Sequence, residues 1–122
     1  MKTLFLLLVI VSSGIRAQEN IWLDTKLNIT ENKQDASYYL ISERIDTTEF
    51  LVGIYRMDKT LLMTGNSIDS RGIRLNGLAK WYHGNGNLES EGYYNNGTKT
   101  GVWKRYDKEG NARPDRVTAM LI

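Results

Sequence analysis

The chain has 122 residues, 41% of them apolar, no cysteine and a formal charge of +2. Without cysteine it closes no disulfide and offers no thiolate to a metal or a substrate, so a small core must hold the fold alone. Lys2 and Arg16 are the whole basic excess, and with both in the first 16 residues the charge balance is no evidence for nucleic-acid or membrane-surface binding.

Residues 1–17 read as a cleavable signal peptide. Lys2 gives a basic start, residues 4–11 form an apolar run of eight, and Ala17, with Ile15 at −3, supplies the cleavage site. Eight apolar residues are too short to cross about 30 Å of hydrocarbon. The expectation is a periplasmic or secreted chain with no stable membrane insertion after cleavage. Residues 18–36 read as an extended lead-in, in which Trp22 and Leu23 are expected to plug one end of a sheet.

Residues 37–122 read as a single β-repeat domain. The runs SYYLISERI, EFLVGIYRM, LLMTGNSI, GLAKWYH, NLESEGYYN, TKTGVWKRY and RVTAMLI are aromatic and β-branched, with polar turns between them. The connections are too short for crossover helices, so neighbouring strands must be antiparallel hairpins. The expected fold is all-β, an antiparallel meander of successive β-hairpins with about six or seven strands.

The clearest stretch, residues 77–111, states one short pattern twice. Gly77 leads to Tyr82 and the turn HGNG; Gly101 leads to Tyr106 and the turn DKEG, 24 residues later. A weaker copy lies upstream, where Tyr55, Leu61 and Gly65 repeat the spacing of Tyr82, Leu88 and Gly92. Its connection, from Gly65 to Gly77, is three residues longer than that from Gly92 to Gly101. A repeat of this length marks a one-dimensional stack, each unit covering its neighbour. Gly86, Gly97 and Gly110 fall where turns need positive φ. Asn96 and Gly97 suit a type I′ turn. Gly65 and Gly92 fall inside strands, where a missing side chain lets an aromatic such as Tyr82 or Tyr106 lie flat on the backbone.

The pattern carried by Gly77, Tyr82, Gly86, Gly92, Tyr93, Asn96, Gly97, Gly101, Trp103, Tyr106 and Gly110 resembles the bacterial variant of the MORN repeat. That variant occurs in the YwqK-type family of toxin–antitoxin antitoxin components. Trp22-Leu23-Asp24 and Tyr38-Tyr39 resemble the opening of its secreted Bacteroidetes members. The chain departs from strict repetition where Arg105 replaces Trp81 and Ala79 replaces Trp103. The resemblance implies a MORN-like repeat sheet and brings no chemistry with it.

The residues themselves assemble no reaction centre. His83 is the only histidine and has no carboxylate at ligand spacing; Glu89 and Glu91 read as surface charge. The glycine-rich turns lack the spacing and the helix of a phosphate loop. The expectation is therefore no enzyme, no cofactor and no metal. Alternation puts Leu78, Lys80 and Tyr82 on one face with Val102, Lys104 and Tyr106, and Trp81 and His83 on the other with Trp103 and Arg105. Trp81, Trp103, Tyr82, Tyr106 and His83 are the candidate interaction residues, unless the two tryptophans instead close the core. The expected function is a non-catalytic repeat scaffold or protein-interaction module of the cell envelope. Its partner would be an unknown envelope protein or a second copy, with no nucleic acid. The alternatives are an antitoxin or immunity-like protein that binds a toxin, and a small secreted glycan-acting enzyme.

Overall fold

Four loops close in the same way and set the spacing of the sheet. In the computed structural model, which describes residues 20–118, these loops are 24–28, 56–60, 83–87 and 107–111. In each, the first residue's N–H bonds the fifth residue's carbonyl, and the fourth residue's N–H bonds the first residue's carbonyl. The fourth position is Leu27, Lys59, Gly86 or Gly110, with φ of 67°, 76°, 94° and 96°. That conformation costs a residue with a side chain roughly 1–2 kcal/mol, so glycine announces only two of the four copies. Side chains reinforce the loops: Oδ1 of Asp24 and of Asp107 each accepts two backbone N–H groups. Asp58 and Asn85 each accept one.

The strands are β1 (Ile21–Leu23), β2 (Tyr38–Arg44), β3 (Phe50–Arg56), β4 (Leu61–Ser67), β5 (Leu75–Tyr82), β6 (Leu88–Asn95), β7 (Thr98–Tyr106) and β8 (Ala112–Val117). They form one open antiparallel sheet in sequence order, β1 to β8. The strands therefore number eight among the described residues, against the six or seven expected. The addition is β1, three residues inside the lead-in and too short to show a period. Thr30 donates to the Trp22 carbonyl, and Leu23 bridges Ile29 beyond the free side of β1. The last strand begins at Ala112, earlier than the expected tail RVTAMLI. The signal peptide and cleavage site of residues 1–17, and the last four residues of that tail, lie outside the described residues.

The sequence offsets of six become cross-strand pairs, Tyr55 with Leu61 and Tyr82 with Leu88. A third pair, Tyr106 with Ala112, completes the series. Asn96 (φ 51°) and Gly97 (φ 93°) form the two-residue β6–β7 turn that their dipeptide predicts.

One face of the sheet, the inner face, holds the core. Leu40, Ile54, Met63 and Trp81 are paired in succession across β2 to β5. Beside them runs a row of small residues, Gly65 paired with Ala79 and Ala79 with Gly92, which Val52 begins. Leu23, Leu40, Val52, Ile54, Met63 and Leu75 are all buried. The opposite, outer face carries a ring ladder in which Trp22 meets Tyr39 edge-on at 6.1 Å and Tyr39 stacks on Tyr55 at 5.3 Å. Burial there, with Tyr39 adjacent, pushes the Tyr55 phenol up to about 12.

The longer connection between β4 and β5 has a structural purpose. It folds back so that Gly72, at φ 70°, rests on Leu40 and Val52, where a methyl group would collide with Leu40. Ser67, fully buried, anchors it by accepting the Asp69 N–H at 3.0 Å and donating to the Asp69 carboxylate at 2.8 Å. Asp69 Oδ1 in turn accepts the Ile73 N–H.

The aromatic expected on the strand glycines is corrected. Gly92 is covered by Trp103, whose Cγ, Cδ2 and Cε2 are the atoms that an added methyl would meet. The five-membered ring thus lies face-on against the backbone. Tyr106 cannot take this place, because alternation along β7 sends it to the outer face. At Gly65 the neighbour is not Tyr82 but the Ala79 methyl, 3.3 Å from an added Cβ.

Gly92→Ala is expected to cost about 1–3 kcal/mol or more, because an indole ring buried on the backbone cannot step aside. Gly65→Ala needs a shift of only a few tenths of an ångström and should cost less. Urea midpoints of the two variants check the order. A second expectation follows from the loop carboxylates. Backbone N–H groups hold Asp46 and Asp107 below the usual range, and the Thr60 hydroxyl and N–H do the same for Asp58. A depressed carboxyl contributes stability that is full above its unfolded value and disappears as pH falls through the folded one. The triple variant Asp46→Asn, Asp58→Asn, Asp107→Asn keeps an acceptor at each site. Its thermal midpoint should fall less than the parent's as pH drops from about 4 to about 2.

Candidate functional site

The inner face has no second layer of strands or helices over it among the described residues, and its sealing is uneven. Between the sheet and the two covering loops lies a recess of about 560 Å³. Leu27 and Ile29 line it from one loop, Arg71 and Ile73 from the other, and Trp81 and Tyr94 from the sheet. Ligand sites are commonly apolar hollows of about 300–1,000 Å³ with a few converging polar groups.

Trp81 stands at this recess half-buried, packed against the core, with its buried Nε1–H directed at the Tyr94 side chain. Burial pushes the Tyr94 phenol up, and the adjacent Trp81 N–H works in the opposite direction. Arg71 is exposed and makes no ion pair among the described residues. The wall therefore combines an aliphatic floor, two rings and a cation without an ion pair among the described residues.

Trp103 has a different situation. It is 2% exposed, lies on Gly92, meets Tyr94 edge-on at 5.4 Å, and has the Lys99 ammonium 4.6 Å from its ring centre. With backbone on one face, the cation covers the other.

Tyr82, Tyr106 and His83 belong to a set of contacts between repeats. Arg56, which follows Tyr55, donates from Nη2 to the Tyr82 carbonyl at 2.8 Å. His83, which follows Tyr82, reaches the Tyr106 carbonyl through Nε2 at 2.9 Å. A carbonyl only accepts, so Nε2 carries the proton. Each unit thus grips the corresponding tyrosine of the next. Asn85 and Asn87 add a second grip, both donating to the Lys108 carbonyl. Tyr82 also lines a shallow hollow of the outer face with Leu51, Leu78 and Lys80.

Of the five candidate residues, the structure brings only Trp81 to the large recess. Trp103 shares its face but is covered, and the other three lie along the repeat contacts. Tyr94, Arg71 and Gly72 were missed by sequence reasoning; the long β4–β5 connection was the one sign that something crossed the sheet there. Among the described residues no group of three or more His, Cys, Asp or Glu is placed to hold a metal ion, and no helix is long and apolar enough to cross a membrane. No family model, curated protein or solved structure matches the chain.

Removing a grip should loosen the stack. His83→Ala is expected to cost about 0.5–1.5 kcal/mol, the usual net value of one hydrogen bond. Arg56→Ala loses charged bonds to the Leu61 and Tyr82 carbonyls and should cost more. Denaturant melts check both, and a histidine effect near zero would show that water replaces the bond without penalty.

Proposed function

We propose that this chain is a non-catalytic binding module of the bacterial MORN-variant kind, exported to the cell envelope, which holds a partner at the recess beside Trp81. The supporting observation is the half-buried Trp81 ring on the wall of an apolar hollow of about 560 Å³. A tryptophan so placed offers a large rigid apolar area to a partner, and tryptophan is enriched at the centres of protein interfaces. The repeated loops and the Arg56 and His83 grips support the repeat reading, because they recur at equivalent positions of successive hairpins. The partner is an envelope protein or a second copy of the chain.

Trp81→Phe keeps an aromatic ring in the core and trims the ring area offered to the recess, so it separates binding from folding. The expected result is a urea midpoint close to the parent's, with association weakened at least about tenfold in sedimentation or in capture of a purified partner. Equal association would overturn the proposal. Loss of stability without loss of association would return Trp81 to the core.

A further inference from the structure

The inner face ends, over β6 to β8, in a second and smaller recess of about 170 Å³. Lys99, Arg105, Arg113 and Arg116 line it together with Trp103. Across the β7–β8 ladder Arg105 is paired with Arg113, and Trp103 with Arg116. In a regular strand, positions 113 and 116 would point to opposite faces. The register shifts between Trp103 and Arg105, and Pro114 and Asp115 together stand opposite Lys104. That bulge turns Arg113 and Arg116 to the same face. It also turns Asp115 outward, where its carboxylate meets Lys104 at 3.5 Å. A proline is tolerated there because β8 is the last strand of the sheet and the position is a bulge.

The bulge therefore sorts charge by face. The nearby acid goes out, and the basic side chains come in. Among the described residues Arg105, Arg113 and Arg116 make no ion pair, and Glu89 is the single acid in the lining. Like charges directly opposite across a ladder are destabilising, so Arg105 against Arg113 is a standing repulsion that an anion would relieve. Trp103, whose buried Nε1–H has no partner, lines the same recess.

We infer that this recess binds the oxyanion group, phosphate or carboxylate, of a ligand whose remainder lies outside it. Guanidinium forks match both groups in two-pronged geometry. At about 30 Å³ for a water-sized group, the space admits roughly five or six non-hydrogen atoms, a single phosphate or a carboxylate with its stem. The site is separate from the Trp81 recess and stands or falls without it.

The test is calorimetric titration of the chain with inorganic phosphate, and separately with acetate, at ionic strength held constant with chloride. The expected result is saturable binding at one site per chain by at least one of the two; whichever binds more tightly identifies the oxyanion. Arg113→Gln and Arg116→Gln should each weaken that binding at least about tenfold. Lys108→Gln, which removes an equal charge from an exposed loop, should leave it unchanged. Without anion, the thermal midpoint of Arg113→Gln should equal or exceed the parent's, which separates lost binding from lost folding. Absence of saturation beyond the chloride control, or equal weakening in Lys108→Gln, would overturn the assignment.

Discussion

A single sheet must hide its apolar face with what its own strands and loops can supply, and this constraint decides most of the structure. The row that Val52, Gly65, Ala79 and Gly92 form across four strands keeps the centre of the inner face low. Larger groups can then lie down on it. At one end Gly72 brings a loop onto Leu40 and Val52; at the other Trp103 lies flat on Gly92. A second sheet would have buried the same surface from outside. Here the burial is done by the sheet's own connections and by a ring from the neighbouring strand, so no second layer is needed to close the face among the described residues.

The same constraint explains why the repeats are unequal. The unit ending at Gly77 is longer because its connection also covers the core. The unit ending at Tyr106 has Trp103 where its predecessor has Ala79, because among the described residues no covering loop reaches that end and a large ring takes its place. Arg105 replaces Trp81 for a related reason. It faces the Arg-lined recess of the last strands, whereas Trp81 faces the aliphatic one. The departures from strict repetition mark where each part of the face is closed.

The strands were legible because aromatic and β-branched runs alternate with glycine-bearing turns, and Gly86, Gly97 and Gly110 have the positive φ that their positions imply. The first two loops of the series were not legible as copies of the later two, since Leu27 and Lys59 occupy a conformation that sequence patterns assign to glycine. That Gly92 leaves room for a ring could be read; that the ring is Trp103 depended on which face β7 turns inward. Arg113 and Arg116 could not be brought together by any period-two reading, because the bulge at Pro114 and Asp115 resets the alternation between them. Trp81 was singled out by its mismatch with Arg105, but the loops that make a recess around it come from residues 27–29 and 71–73, far off in sequence.

The two ends of the sheet limit how copies of this chain can meet. Beyond β1 the backbone already has a partner in Thr30, and β8 interrupts its free margin with a proline and a bulge. Among the described residues, neither margin offers a straight row of free N–H and carbonyl groups on which a further strand could be laid. A repeat architecture, whose internal logic is to go on adding hairpins, is thus blunted at both described margins. Growth into a fibre is discouraged, and any meeting between copies is left to the faces.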